Sequence, residues 1–173
     1  DPDPARETIR RLLEAGINCT CYFIIGYPGE TDETAKRTIS YIQSLEYPEA
    51  EGLFSWSMYP FILAPMSPIF EPQEREAYDL QGYSYDWKHK TMDTTRALQH
   101  LTEAFFTISN SSPVYRGDNL EYLSALTKNK RQAFVRERHA LSKLALNKSL
   151  TSEHAFESFS RIFQVKATSQ IRV

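Results

Sequence analysis

The sequence predicts an α/β fold, and three observations predict it. Asn18 to Gly26 is an apolar run of strand length that ends in a turn carrying two glycines, Gly26 and Gly29. Segments with helical spacing flank it: Ile9, Leu12, Leu13 and Gly16 share one face before it, and Ala35, Ile39, Ile42 and Leu45 share one after it. Gly52 to Pro60 then alternates apolar and hydroxylated residues with the two-residue period of a strand. Strands separated by helices of this length read as a parallel sheet.

Composition sets the limits. A chain of 173 residues can bury a real core, and 41% hydrophobic with 24% charged residues is the balance of a globular domain, not a disordered one. The net charge of −2 supplies no whole-chain attraction for nucleic acid or an acidic membrane. Cys19 and Cys21 make no disulfide framework, so a cytoplasmic setting is expected. No apolar run approaches the roughly 20 residues of a membrane span, and no signal peptide is read ahead of the first helix. Ten Tyr and ten Phe suit either an aromatic-rich core or a site that encloses an organic substrate.

Asp1-Pro2-Asp3-Pro4 leads into the first helix, with Asp3 as cap and Pro4 at the first helical position; Gly16 ends that helix. In the strand that follows, Ile24 and Gly26 point one way and Cys21, Phe23 and Ile25 the other. A strand apolar on both faces is expected to be buried on both sides, as in a parallel sheet covered by helices. Cys19 and Cys21 accordingly read as small buried side chains, not as metal ligands. Thr31 is placed to cap the second helix, about Thr31 to Leu45, with Asp32 and Glu33 in its first turn. In the next strand Phe54, Trp56 and Met58 form an apolar face. Ser55, Ser57 and Tyr59 form a hydroxylated one, directed either at a polar site or at water. Pro60, Pro65, Pro68 and Pro72 make the following stretch rigid and irregular.

Farther on, Tyr83, Tyr85, Trp87 and His89 alternate over Gln81 to Lys90, as in a strand with an aromatic face. His89, between Lys88 and Lys90, is either an active-site or a surface histidine. Thr94 to Ile108 is a helix with Leu98, Leu101, Phe105 and Ile108 on one side, broken by Asn110 to Pro113. Arg116-Gly117-Asp118 reads as a turn before a short helix carrying Leu120, Leu123 and Leu126. Lys128 to Lys148 holds seven basic residues against Glu137 alone and reads as a solvated helix face. A short helical segment at His154-Ala155-Phe156 leads to an expected strand, Arg161 to Lys166. No Ser/His/Asp or paired-carboxylate constellation points to a hydrolase.

The glycine turn carries a family resemblance. Ile24-Ile25-Gly26-Tyr27-Pro28-Gly29-Glu30 resembles the segment on the fifth barrel strand of radical S-adenosylmethionine (radical SAM) enzymes, whose pattern is Gly-x-Ile-x-Gly-x-x-Gly-Glu. Ile24, Gly26, Gly29 and Glu30 match it; Tyr22 stands where the pattern starts with glycine. The resemblance extends upstream through Ile9 to Ile17 and downstream to about Pro68. There Ala64-Pro65-Met66-Ser67-Pro68-Ile69-Phe70 is similar to the proline-rich exit after the last barrel strand, with Met66-Ser67 in place of the usual small-residue turn. Trp87-Lys88-His89-Lys90-Thr91-Met92 resembles C-terminal regions of cobalamin-binding members. The Cys-x-x-x-Cys-x-x-Cys motif that holds the family's 4Fe–4S cluster is not in this sequence, and Cys19 and Cys21 at one-residue spacing do not replace it.

The resemblance implies the C-terminal half of a radical SAM partial (β/α) barrel over residues 1–72. A mostly helical extension over 73–149 would follow, then a tail, 150–173, with no role assigned. It implies S-adenosylmethionine as cofactor, its nucleoside against Ile24, Gly26, Tyr27, Gly29 and Glu30, with Ser57 facing the barrel lumen. Tyr59, Met66 and His89 would lie toward an organic substrate. The 4Fe–4S cluster, and any cobalamin, would be held outside this chain, by the missing N-terminal part of the same enzyme. The implied reaction is reductive cleavage of S-adenosylmethionine, then hydrogen abstraction or methyl transfer. Two other readings stay open: a non-catalytic α/β nucleotide-binding or interaction module, and another parallel-barrel enzyme that binds phosphate where the helix starts at Thr31.

Overall fold

The computed structural model describes residues 2–115, 123 and 125–163. Helix α1 (Pro2–Glu14) buries Ile9 and Leu13 and is followed by Gly16 at φ +79°. Strand β1 (Cys19–Ile25), helix α2 (Asp32–Gln43) and strand β2 (Phe54–Pro60) then form a β-α-β unit. The two strands pair in parallel from Cys19 opposite Phe54 to Ile25 opposite Pro60. Thr31 caps α2 as its residue type suggests: its hydroxyl accepts the Thr34 N–H at 3.3 Å, and the Thr34 hydroxyl accepts the Thr31 N–H at 2.9 Å.

The chain next leaves the sheet. Residues 61–93 pass through the proline-rich segment, a single 3-10 turn at Pro68–Phe70 and helix α3 (Pro72–Tyr78). They continue into an antiparallel sheet of β3 (Gln81–Tyr83), β4 (Asp86–His89) and β5 (Met92–Asp93), in the order β3-β4-β5. Helix α4 (Thr94–Thr107), capped by the Asp93 carboxylate on the Arg96 N–H at 2.8 Å, returns to the parallel sheet. There β6 (Ser112–Pro113) pairs with β2 in parallel, giving the order β1-β2-β6. Residues 61–93 are therefore an excursion inside a second β-α-β unit. Helices α5 (Lys128–Leu146) and α6 (Ser152–Phe163) pack on each other, with α5 also against β6.

Helices α1, α2 and α4 cover one face of the parallel sheet. Leu13, Ile42, Leu45, Phe54, Trp56 and Ile108 form the core there, with Cys19, Cys21, Phe23 and Met58 packed against it. Full burial of each large aliphatic side chain contributes about 1.5–3 kcal/mol. A second core, including Ile25, Ala35, Phe61, Leu63, Trp87, Met92 and Ala97, joins the β1–α2 turn to the excursion.

Several expectations need correction. Burial of β1 on both sides fails among the described residues: Tyr22 is 69% and Ile24 58% exposed, because the helices all lie on the opposite face. The stretch from Gln81 to Lys90 is not one strand but two arms of a hairpin, turned at Ser84 with φ +55°. Within residues 73–149 helices alternate with these short strands. Asn110 to Pro113 ends α4 but also contains β6, which at two residues is too short to show a period. Arg161 to Phe163 belong to α6, not to a strand; residues 164–166, Leu120 and Arg116-Gly117-Asp118 lie outside the described residues.

The basic run is not simply a solvated face. Lys128 Nζ donates to Glu49 O at 2.7 Å, Arg131 to Glu51 O at 3.1 Å, and Lys143 Nζ to Phe106 O at 2.9 Å and Ile108 O at 2.7 Å. These cations bind main-chain carbonyls of loops and of the end of α4. Asn110 does the same for the end of α2, donating from Nδ2 to Gln43 O at 2.8 Å and Leu45 O at 3.2 Å.

Candidate functional site

The carboxyl ends of β1 and β2 carry most of the residues singled out by sequence. On the face that the described residues leave uncovered, Thr20, Tyr22 and Ile24 stand in register with Ser55, Ser57 and Tyr59. Thr20 and Ser55 share a hydrogen bond at 2.8 Å. The rings of Tyr22 and Tyr59 lie nearly parallel, 13° apart, with centroids 6.4 Å from each other. Tyr59 is half-exposed, whereas Ser57 is buried. Tyr22, unremarked by sequence except as a departure from a family pattern, is thus a full member of this surface.

The turn after β1 is held from three directions. Gly26 takes φ +90° and Gly29 φ +94°, conformations that disfavour any side chain. The Gly26 N–H donates to the Glu30 carboxylate, and the Glu30 N–H donates to Tyr27 O at 2.8 Å. The Gly26 carbonyl faces His89 Nε2 at 3.2 Å. The space above Gly26 Cα is filled: an ideal Cβ there would lie 2.3 Å from Trp87 Cη2. A Cβ on Gly29 would meet the Tyr78 ring at 3.4 Å. Burial raises the Glu30 carboxyl above its usual value, opposed by the Gly26 N–H and by His100.

His89 is a buried histidine, 2% exposed, which corrects the surface alternative read from the sequence. Alternation along β4 sets Trp87 and His89 inward and Lys88 outward. A carbonyl only accepts, so His89 Nε2 carries the proton toward Gly26 O, and Nδ1 accepts the Thr91 N–H at 3.3 Å. The Thr91 hydroxyl donates to Glu30 O at 2.6 Å, closing the circuit. The imidazole stacks on the Trp87 indole, 3° apart with centroids at 5.3 Å, and the indole N–H donates to Phe61 O at 2.7 Å. Burial lowers the His89 pKa, offset in part by the Gly26 bond and Asp93.

What remains outward on the turn is Ile24 and Tyr27, both more than half exposed; Tyr27 leans edge-on against Phe61 with centroids at 5.4 Å. Met66 projects from the proline-rich loop, 98% exposed, at φ +66°. Glu30, Gly26, Gly29 and His89 are brought together as the frame of the turn; Ile24, Tyr27, Ser57 and Tyr59 lie on or beside its open side. Trp87 and Thr91, the partners that sequence did not connect to the turn, are distant along the chain and gave no local signal of it.

The start of α2 has its own ion-pair cluster. Arg96 grips Asp32 with two bonds, 2.7 and 2.8 Å, and the fully buried His100 reaches Asp32 at 2.9 Å and Glu103 at 3.2 Å. The Arg96 and His100 hydrogen bonds hold the Asp32 carboxyl far below the usual carboxylate range. Among the described residues no group of three His, Cys, Asp or Glu side chains could hold a metal ion. A cleft of about 180 Å³ lies at the other end of the strands, lined in part by Tyr47, Phe54, Asn110 and Val135, and holds none of the candidate residues.

Comparisons of the chain with known protein families, with curated proteins and with solved structures found no match. No helix among the described residues is long and apolar enough to cross a membrane.

Proposed function

We propose that this chain forms the nucleoside-holding part of a radical SAM enzyme, as the C-terminal half of a partial barrel. One observation carries the reading. At the carboxyl ends of two parallel strands, a hydrogen-bonded Gly26–Glu30 turn leaves Ile24 and Tyr27 outward, beside Tyr59 on the neighbouring strand. That end of a parallel sheet is where α/β proteins place ligands. A nucleoside needs flat apolar contact with a few polar groups at its edge.

The chain's residues fit the nucleoside in a particular way. Ile24, Tyr27 and Tyr59 have free surface for a ring. Gly26 and Glu30 act by holding the turn, since their polar atoms are engaged within the chain. They do not fit the 4Fe–4S cluster, whose ligands belong to other residues of the enzyme. Nor would His89 offer cobalamin a free imidazole nitrogen, because both of its ring nitrogens have partners within the chain. Beside a reduced 4Fe–4S cluster that donates one electron, S-adenosylmethionine would supply the radical chemistry. This chain binds and orients the nucleoside and walls one side of the substrate space. A cytoplasmic setting accords with its two free thiols.

The phosphate reading is disfavoured by charge. Asp32 and Glu33 occupy the first turn of α2, where Arg96 is paired with Asp32 and Arg37 with Glu33.

The test is a titration of the isotope-labelled chain with S-adenosylmethionine, followed by NMR. Shifts should concentrate at Ile24, Tyr27 and Tyr59, and Ile24→Ala should weaken binding by about tenfold without altering the fold. Shifts elsewhere, or none, would overturn the reading.

A further inference from the structure

We propose that His89 is a positioning residue for this site: by binding the Gly26 carbonyl it fixes the conformation in which the turn offers Ile24 and Tyr27 to a ligand. The functional half of this statement rests on the nucleoside reading above. The geometric half stands on the contacts alone.

The turn needs such a partner. Gly26 and Gly29 both lie at positive φ, and glycine loses more conformational freedom on ordering than any other residue. The turn's own bonds, Gly26 to Glu30 and Glu30 to Tyr27, are local and leave the Gly26 carbonyl unpaired. His89 supplies the missing donor from 63 residues away, at 3.2 Å and shielded from water. Its own orientation is set twice, by the parallel Trp87 indole and by the Thr91 N–H on Nδ1. Thr91 adds a second link, from its hydroxyl to Glu30 O at the far end of the same turn. The hairpin therefore grips both ends of the turn through main-chain oxygens, which is how a scaffold can set loop shape without touching a ligand. Neither imidazole nitrogen is available for substrate, so His89 acts through Gly26.

Two substitutions separate positioning from bulk. His89→Phe keeps the ring stacked on Trp87 and removes the donor; His89→Gln places an amide N–H at about the reach of Nε2. In the labelled 173-residue chain, His89→Phe should speed exchange of the Gly26 and Glu30 amides by about tenfold, while amides of β2 and α4 keep their protection. It should also weaken S-adenosylmethionine by about tenfold, and His89→Gln should restore both to within about threefold. A folded His89→Phe chain with turn exchange and affinity unchanged overturns the proposal. So does equal loss in the Phe and Gln variants. If the parent chain shows no S-adenosylmethionine binding, the nucleoside reading falls, and the exchange rates still decide whether His89 holds the turn. If His89→Phe does not fold, the imidazole tautomer in the parent chain decides: long-range proton–nitrogen NMR should show hydrogen on Nε2, and hydrogen on Nδ1 alone overturns the assignment.

Discussion

The Trp87 indole occupies the volume that a side chain on Gly26 would require. An ideal Cβ at residue 26 would sit 2.3 Å from Cη2 and 2.7 Å from Cζ2 of that ring, on a backbone already at φ +90°. Gly26→Ala should therefore destabilise the chain by about 2–4 kcal/mol, combining left-handed strain with overpacking. Trp87→Leu opens the space, so Gly26→Ala should cost less in that background, with a coupling of about 1–2 kcal/mol in urea melts. Strict additivity would mean that the two residues do not share the space.

Acid should weaken the fold through buried imidazoles. His139 donates from Nε2 to Ile108 O at 3.0 Å and faces the Tyr115 hydroxyl at 2.8 Å; burial and the nearby Lys143 push its pKa from 6.5 down to about 4. The unfolded chain takes up this proton near pH 6.5 and the folded chain only near 4. The stabilisation is whole above about pH 6.5 and is lost as pH falls toward 4, to the extent of about 2–3 kcal/mol. His89, also lowered by burial, acts with the same sign. Urea midpoints should fall across this window, and His139→Gln should flatten the slope. A midpoint that rises with acidification contradicts the assignment.

The uncovered sheet face should be sticky. Tyr22, Ile24 and Tyr59 are each more than half exposed on one surface, and β1 has no second neighbour among the described residues. The chain should bind a hydrophobic dye or self-associate in light scattering, and Tyr22→Ser with Ile24→Thr should reduce either signal. A monomeric parent chain with no dye response would show that this face is covered.

Iron–sulfur reconstitution should fail on this chain alone. Cys19 and Cys21 face the helices, and burial together with Cys19 pushes the Cys21 thiol up to about 11, away from the thiolate a cluster needs. Anaerobic reconstitution should leave no stoichiometric 4Fe–4S absorbance or EPR signal. A full signal would require a third ligand that the described residues do not show.

Much of the frame was legible because its periods are intact. Ala35, Ile39 and Ile42 keep helical spacing, Thr31 is a capping residue in the capping position, and Phe54 to Tyr59 alternate without a fault. What sequence could not show is which apolar face finds a partner: Tyr22 and Ile24 have the side chains of buried residues, and only the placement of the helices leaves them open. For His89 the lysine neighbours favour a surface setting, which its burial contradicts. The same two-residue period puts Lys88 on the other side of the strand from Trp87 and His89. The role of Gly26 was harder still, since glycine fits a close ligand and a close indole equally well, and the indole comes from 61 residues later in the chain.

The excursion from residue 61 to 93 has left a mark on the frame it departs from. Two β-α-β units could be joined by a far shorter path between Pro60 and Thr94, and loop length alone exacts little entropy. Yet the Trp87 indole fills the space that a side chain at residue 26 would need. A protein built on the same two units but lacking the excursion would carry a hollow at that point, open to water and about one indole wide. Shortening the excursion is then not neutral trimming: it must be accompanied by a larger residue at position 26 and a different backbone path there, so insertion and turn have to change together.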